Sequence, residues 1–140
     1  MTAESRGLLR QAVMVSEGLR LKPYRDTVGT LTSGHGRNLD DVGISKLEAE
    51  VLLDHDLAAA EQECRAVFVW FSGLNEARQR VMVEMEFNLG TAGVRGFVRM
   101  IAALQVRDYE TAATEMRQSR WAEQVGARAT RLAETMRTGK

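Results

Sequence analysis

Apolar residues recur at helical spacing along most of this chain, and the pattern is interrupted for long only once. Leu8, Leu9, Ala12, Val13 and Val15 predict a helix over residues 5–17, with Ser5 placed to cap its start. Gly18 follows Glu17, so Glu17 falls in the last turn or just past it. Residues 18–43 lose the helical period. Gly18, Pro23, Gly29, Gly34, Gly36 and Gly43 interrupt them, and Tyr24, Thr27, Val28, Thr30, Leu31 and Thr32 give them β-type composition. A small hairpin or three-strand sheet with tight turns is expected there. Asn38-Leu39-Asp40-Asp41 is a turn by chemistry, because Asn and Asp bond back to nearby backbone.

Ser45-Lys46-Leu47-Glu48 is a capping box, a serine cap with a glutamate three residues on. It predicts a long helix over about 45–67, with Leu47, Val51, Leu52, Leu57, Ala59 and Cys64 on its buried side. Asn75 opens a further helix through Ala77, Val81, Met82, Met85 and Leu89, ending near Gly90. Another is expected from Gly93 to Leu104, with Val94, Phe97, Val98 and Ile101. Asp108 caps one through Met116. A last helix over 126–137 carries Ala129, Leu132, Ala133 and Met136. The expected class is α+β in one domain, 1–140. A small β-containing lobe (about 18–50) and a helical lobe (1–17 and about 68–140) are joined by the long helix, with a cleft beside it for a ligand.

Composition narrows the function. The 140 residues suit one domain with a real core. Nineteen basic and nineteen acidic residues balance, which argues against a nucleic-acid partner. Residues 95–140 hold nine Arg or Lys against five Asp or Glu, so the remainder carries the opposite excess. A basic C-terminal part suits either an anionic polymer or a solvated helical surface. The single cysteine, Cys64, permits no intramolecular disulfide and reads as a small buried hydrophobe. No signal peptide is expected, and no apolar stretch is long enough to span a membrane.

Most catalytic chemistries find no support. His35, His55 and Cys64 do not fall at zinc-ligand spacing, and there is no nucleophile elbow or phosphate-binding loop. No metal or cofactor is expected. His35, between two glycines, reads as structural or cleft-lining rather than as a base. Carboxylates offer more. Glycoside hydrolysis needs one protonated and one ionised carboxyl across the scissile bond. Glu17 and Asp26 lie nine residues apart across a Pro-containing turn, a spacing that is weak on its own.

The segment Glu17-Gly18-Leu19-Arg20-Leu21-Lys22-Pro23-Tyr24-Arg25-Asp26-Thr27, then Gly29 and Thr32-Ser33-Gly34-His35-Gly36, closely resembles the catalytic signature of the T-even phage lysozyme family. Gly43-Ile44-Ser45 and Glu48-Ala49-Glu50 resemble the start of that family's interlobe helix. Phe87-Asn88-Leu89-Gly90, Gly93-Val94 and Gly96-Phe97 resemble its central helical hairpin. Ser119-Arg120-Trp121, Arg128, Arg131 and Arg137-Thr138-Gly139 resemble its C-terminal part.

The resemblance implies a lysozyme-like fold and a muramidase. Such an enzyme cleaves the β-1,4 bond between N-acetylmuramic acid and N-acetylglucosamine, with inversion. It implies Glu17 as general acid, kept protonated by partial desolvation. It implies Asp26 and Thr32 as the residues that hold the attacking water. Arg128 matches an arginine that pairs with the catalytic glutamate. Phe87, Asn88, Leu89, Arg120 and Trp121 match positions at the cleft edge. By helical spacing alone Phe87 and Trp121 read as core; the resemblance implies Asn88 as a hydrogen-bond partner for sugar or for a tryptophan.

Three departures stand out. The stretch Asn38 to Gly43 is short, which reduces the small lobe. Arg37 occupies a histidine's place, and a pairing with Asp56 is expected. Ser33 and His35 replace apolar or aromatic residues. The implied substrate is bacterial peptidoglycan, and phage tail proteins or an inhibitor protein are candidate partners of a monomer. The implied setting is the host cytoplasm until holin-type release, or the virion tail. The alternative is a catalytically weak peptidoglycan-binding or structural tail protein of the same fold.

Overall fold

A computed structural model describes residues 1–140. It is mostly helical with one small antiparallel sheet, the expected α+β class. The chain divides into two compact units, Met1–Glu50 and Val51–Lys140, taken here one at a time.

The first unit opens with α1, Ala3–Glu17. Its cap is Thr2, not Ser5: the Thr2 hydroxyl accepts from the Ser5 backbone N–H at 3.1 Å. Then come β1 (Arg20–Arg25), β2 (Leu31–Gly34) and β3 (Arg37–Asn38), paired in that order. Arg20 faces Gly34, Tyr24 faces Thr32, and Arg25 faces Leu31, with an irregularity between Arg20 and Tyr24. Thr32 also faces Asn38 on β3, so Tyr24, Thr32 and Asn38 share one face. The Asn38 turn forms as its chemistry predicts, with Asn38 Oδ1 accepting from the Asp41 N–H at 2.9 Å.

Helix α2, Lys46–Val67, starts in this unit and ends in the second. Its capping box is reciprocal. Ser45 Oγ accepts from the Glu48 N–H at 3.2 Å, and Glu48 Oε2 accepts from the Ser45 N–H at 2.7 Å. The apolar stripe read for α2 is not its buried side. Leu47, Val51, Leu52 and Leu57 are exposed, and only Ala60 and Cys64 are buried. Leu8, Leu9, Val13 and Val15 of α1 are exposed too. Periodicity says which side of a helix is apolar, not whether anything lies against it.

The second unit holds the core. After a short 3₁₀ turn at Phe71–Gly73 come α3 (Glu76–Arg95), α4 (Val98–Gln105), α5 (Tyr109–Arg117), α6 (Arg120–Val125) and α7 (Ala127–Thr138). Val81, Met82, Met85, Met100, Leu104, Met116, Leu132 and Met136 are sealed from solvent. Each such side chain contributes roughly 1.5–3 kcal/mol of burial. Asn75 and Asp108 cap α3 and α5. Gly90 does break the helix, at φ 68°, ψ 169°, but the chain resumes α3 at once. The expected helix from Gly93 to Leu104 is therefore divided at Gly96–Phe97. Helix α6, capped by Ser119 Oγ on the Ala122 N–H, was not expected.

Candidate active site

In the first unit, α1 delivers Glu17 to the base of the β1–β2 hairpin. Gly18 ends the helix, and its N–H donates to the Met14 carbonyl at 3.0 Å. The Gly18 carbonyl accepts from His35 Nδ1 at the far end of β2. His35 thus ties the residue after Glu17 to the strand. The Glu17 carboxyl rests over Gly36: a Cβ added at Gly36 would lie 2.6 Å from Glu17 Oε2. Gly36 has φ +75°, a conformation that L side chains resist. Glu17 is exposed, so the desolvation expected for it is not supplied by the protein alone.

Asp26 occupies the other end of the hairpin. Its Oδ1 accepts from the Val28 N–H at 3.0 Å and the Thr30 N–H at 2.8 Å. Its backbone carbonyl accepts from the Gly29 N–H. One carboxylate oxygen therefore organises the turn that joins β1 to β2. The second, Oδ2, accepts no hydrogen bond within the chain and remains free for a ligand or water.

Thr32 lies between these ends, on β2, and is buried, at 4% exposure. Its hydroxyl donates to the Thr30 carbonyl at 3.1 Å. With the proton so committed, the Oγ1 lone pairs are left to accept from a water. The three residue steps of β2, from Leu31 to Gly34, span about 10 Å, which sets the scale of separation between the two ends.

Within the first unit, Arg37 has Glu48 as its carboxylate. Its Nη1 and Nη2 donate to Glu48 Oε1 at 2.6 Å and Oε2 at 3.0 Å, and its Nε donates to the Gly43 carbonyl at 2.7 Å. Glu48 is within reach because the capping box already turns its side chain back toward Ser45. Hydrogen bonds from the Ser45 backbone and hydroxyl, aided by Arg37, hold its carboxyl below the usual range.

The remaining predicted residues lie in the second unit. Arg128 has Glu84 as its carboxylate: Nε donates to Glu84 Oε1 at 2.9 Å, and Arg131 Nη2 donates to the same oxygen at 2.7 Å. Burial pushes the Glu84 carboxyl up, but the two arginines outweigh it and hold the group below its ordinary value. Arg128, Glu84 and Phe87 line a hollow of about 820 Å³ with Leu53, Leu57 and Val83.

Trp121 is buried and donates its indole N–H to Asn88 Oδ1 at 2.8 Å. It meets Phe97 edge-on, with centroids 5.9 Å apart. Phe87 is not core, being 44% exposed. Leu89 is half-buried against the core, and Arg120 is exposed.

Glu17 at the end of α1 and Asp26, Thr32 and His35 on or beside the β1–β2 hairpin thus belong to the first unit, while Arg128, Phe87, Asn88, Leu89, Arg120 and Trp121 belong to the helical unit. Sequence reasoning missed two participants. Gly36 as a seat for Glu17 was signalled only by the Gly34-His35-Gly36 spacing. Glu84 as the partner of Arg128 had no local signal, since 44 residues separate them.

Residues 14–137 match the family model described as phage lysozyme. The pre-baseplate central spike protein Gp5 of Enterobacteria phage T4 is 31% identical over 152 aligned positions, covering 88% of this chain and 26% of that protein. The chain thus spans about a quarter of that relative's length. Probable T4-type lysozyme 1 of Dictyostelium discoideum is 24% identical over 160 positions, covering 94% of each chain.

Proposed function

The chain belongs to the phage lysozyme family, and from that premise we propose that it is a peptidoglycan-degrading muramidase. The bond cleaved is the β-1,4 link between N-acetylmuramic acid and N-acetylglucosamine. Glu17 is the general acid that protonates the leaving oxygen. The Asp26 carboxylate opposes the developing positive charge on the sugar and with Thr32 holds the attacking water.

The observation that carries the reading is the hairpin itself. Glu17 is seated against Gly36 at its base, Asp26 turns its tip, and Thr32 lies between. Two acceptors are free in that arrangement, Asp26 Oδ2 and the Thr32 lone pairs. A water donating to both directs its own lone pair outward, as attack on an anomeric carbon requires. Inversion requires room for that water between acid and base, with the carboxyls roughly 6.5–9.5 Å apart. Glu17 is exposed, so a bound glycan must exclude water from it, coupling acid function to substrate occupancy.

The setting is phage lysis or phage entry. The likeness to a central spike protein favours a virion-associated enzyme. No helix is long and apolar enough to cross a membrane.

The test is a zymogram on bacterial wall with wild-type protein and Glu17→Gln. Clearing by the wild type and none by a variant of unchanged circular dichroism is the expected result. Wild-type protein that clears no wall between about pH 4 and 8 would leave a wall-binding or structural role. Proton NMR of the first-formed anomer tests inversion.

A further inference from the structure

The second unit carries an acidic hollow that the hydrolytic residues do not use. Its volume is about 530 Å³, and Asp56, Ala59, Ala60 and Glu63 of α2 line it with Glu86 and Phe87 of α3. Glu86 is 6% exposed, a carboxylate in a position that would ordinarily be apolar. Its Oε2 is buried and has no hydrogen-bond partner, the one side-chain atom in the molecule in that condition. Thr91 Oγ1 stands 2.7 Å from Glu86 Oε1 and 3.2 Å from Glu63 Oε1, so its single proton serves only one of them. Within the second unit, no lysine or arginine forms an ion pair with Asp56, Glu63 or Glu86.

The hollow is therefore rich in acceptors and short of donors and positive charge, a combination that costs stability unless a ligand corrects it. No three acidic, histidine or cysteine side chains converge as a metal cage, which favours an organic cation. An ammonium brings three donors and one positive charge. The exposed ring of Phe87 and the methyls of Ala59 and Ala60 suit the alkyl arm that carries it.

We propose that this hollow binds the primary ammonium of a peptidoglycan stem peptide. This rests on the muramidase reading for its choice of cation-bearing ligand. The subsite would select wall whose stem amine is free over wall in which it is acylated or cross-linked.

The probe is the N-terminally acetylated tripeptide N-acetyl-L-Ala-γ-D-Glu-L-Lys, whose only amine is the Lys ε-ammonium, with its Nε-acetyl form as control, titrated into the full chain by NMR. The free amine is expected to shift the amides of Ala59, Ala60, Glu63 and Thr91, with binding at least about tenfold tighter than the acetyl form. Glu63→Gln and Asp56→Asn, checked for folding by circular dichroism, should erase that preference. Equal binding of the two peptides, no shift at millimolar peptide, or a preference that survives both substitutions would overturn the subsite. Wall clearing is read separately. Clearing without peptide binding rejects the subsite and keeps the muramidase. Amine-selective binding without clearing supports the subsite and rejects hydrolysis.

Discussion

The carboxyl of Glu17 lies against Gly36 so closely that a single added methyl would strike it. The Cβ would stand 2.6 Å from Oε2 and 2.9 Å from Cδ. Gly36→Ala is therefore expected to act in two ways. The left-handed backbone costs about 1–2 kcal/mol of stability. The displaced carboxyl costs turnover, by about a hundredfold if it moves 1 Å. Thermal unfolding and wall-clearing rates separate the two effects. A stable Gly36→Ala protein with wild-type turnover would show that catalysis does not use Glu17 in this seat.

Asp26 organises its turn through Oδ1, its charge is assigned to catalysis only by the proposed function, and two substitutions separate the two. Asp26→Asn keeps an oxygen for the Val28 and Thr30 N–H groups that Oδ1 now serves. The turn should survive while the charge is lost, so activity falls with little change in unfolding temperature. Asp26→Ala removes both bonds and is expected to cost about 1–2 kcal/mol in addition. Equal unfolding temperatures for the two variants would show that the side chain does not organise the turn.

What the sequence made legible was local. The Ser45–Glu48 box, the Asn38 turn and the Asp108 cap are short-range bonds between residues of fixed spacing, and each formed as written. That Glu17, Asp26 and Thr32 fall within one helix end and the adjoining hairpin was legible because few residues separate them. Distant partners were not. Arg37 pairs with Glu48 and Glu84 with Arg128, and neither pair was read from the sequence, because charge alone does not rank the carboxylates within an arginine's reach. Helix α6 escaped notice because six residues are too few to show a period. The stripe on α2 was read as buried, and of it only Cys64 is. Phe87 made the same point in reverse, an aromatic at core-like spacing that stays 44% exposed.

Glu84 makes stability depend on pH in a stated direction. Its folded pKa lies below the ordinary value of 4.5, held there by Arg131 and Arg128 against the pull of burial. A depressed carboxylate contributes stability above its unfolded pKa and loses it as pH falls through the folded one. The wild type should thus exceed Glu84→Gln at pH 6–7, by about 1 kcal/mol for two partly exposed pairs. The difference should shrink steadily below pH 4.5. Denaturant titrations across that range measure it. A gap that persists unchanged at low pH would show that the glutamate acts by packing rather than by charge.

The Trp121–Asn88 bond is the last link that can be broken cleanly. The indole is 5% exposed, so its N–H has little access to water if Asn88 is removed. Asn88→Ala leaves that donor unpaired and is expected to cost about 1–3 kcal/mol. Asn88→Asp keeps an acceptor at the same place and should cost less. Urea midpoints followed by tryptophan fluorescence rank the three proteins. Because Trp121 also meets Phe97 edge-on at 5.9 Å, a tilt of the freed indole would be felt across the α3–α4 junction. Amide exchange near Gly96 should then quicken in Asn88→Ala alone. Identical midpoints for all three proteins would mean that the indole N–H finds water readily and that Asn88 does not fix the ring.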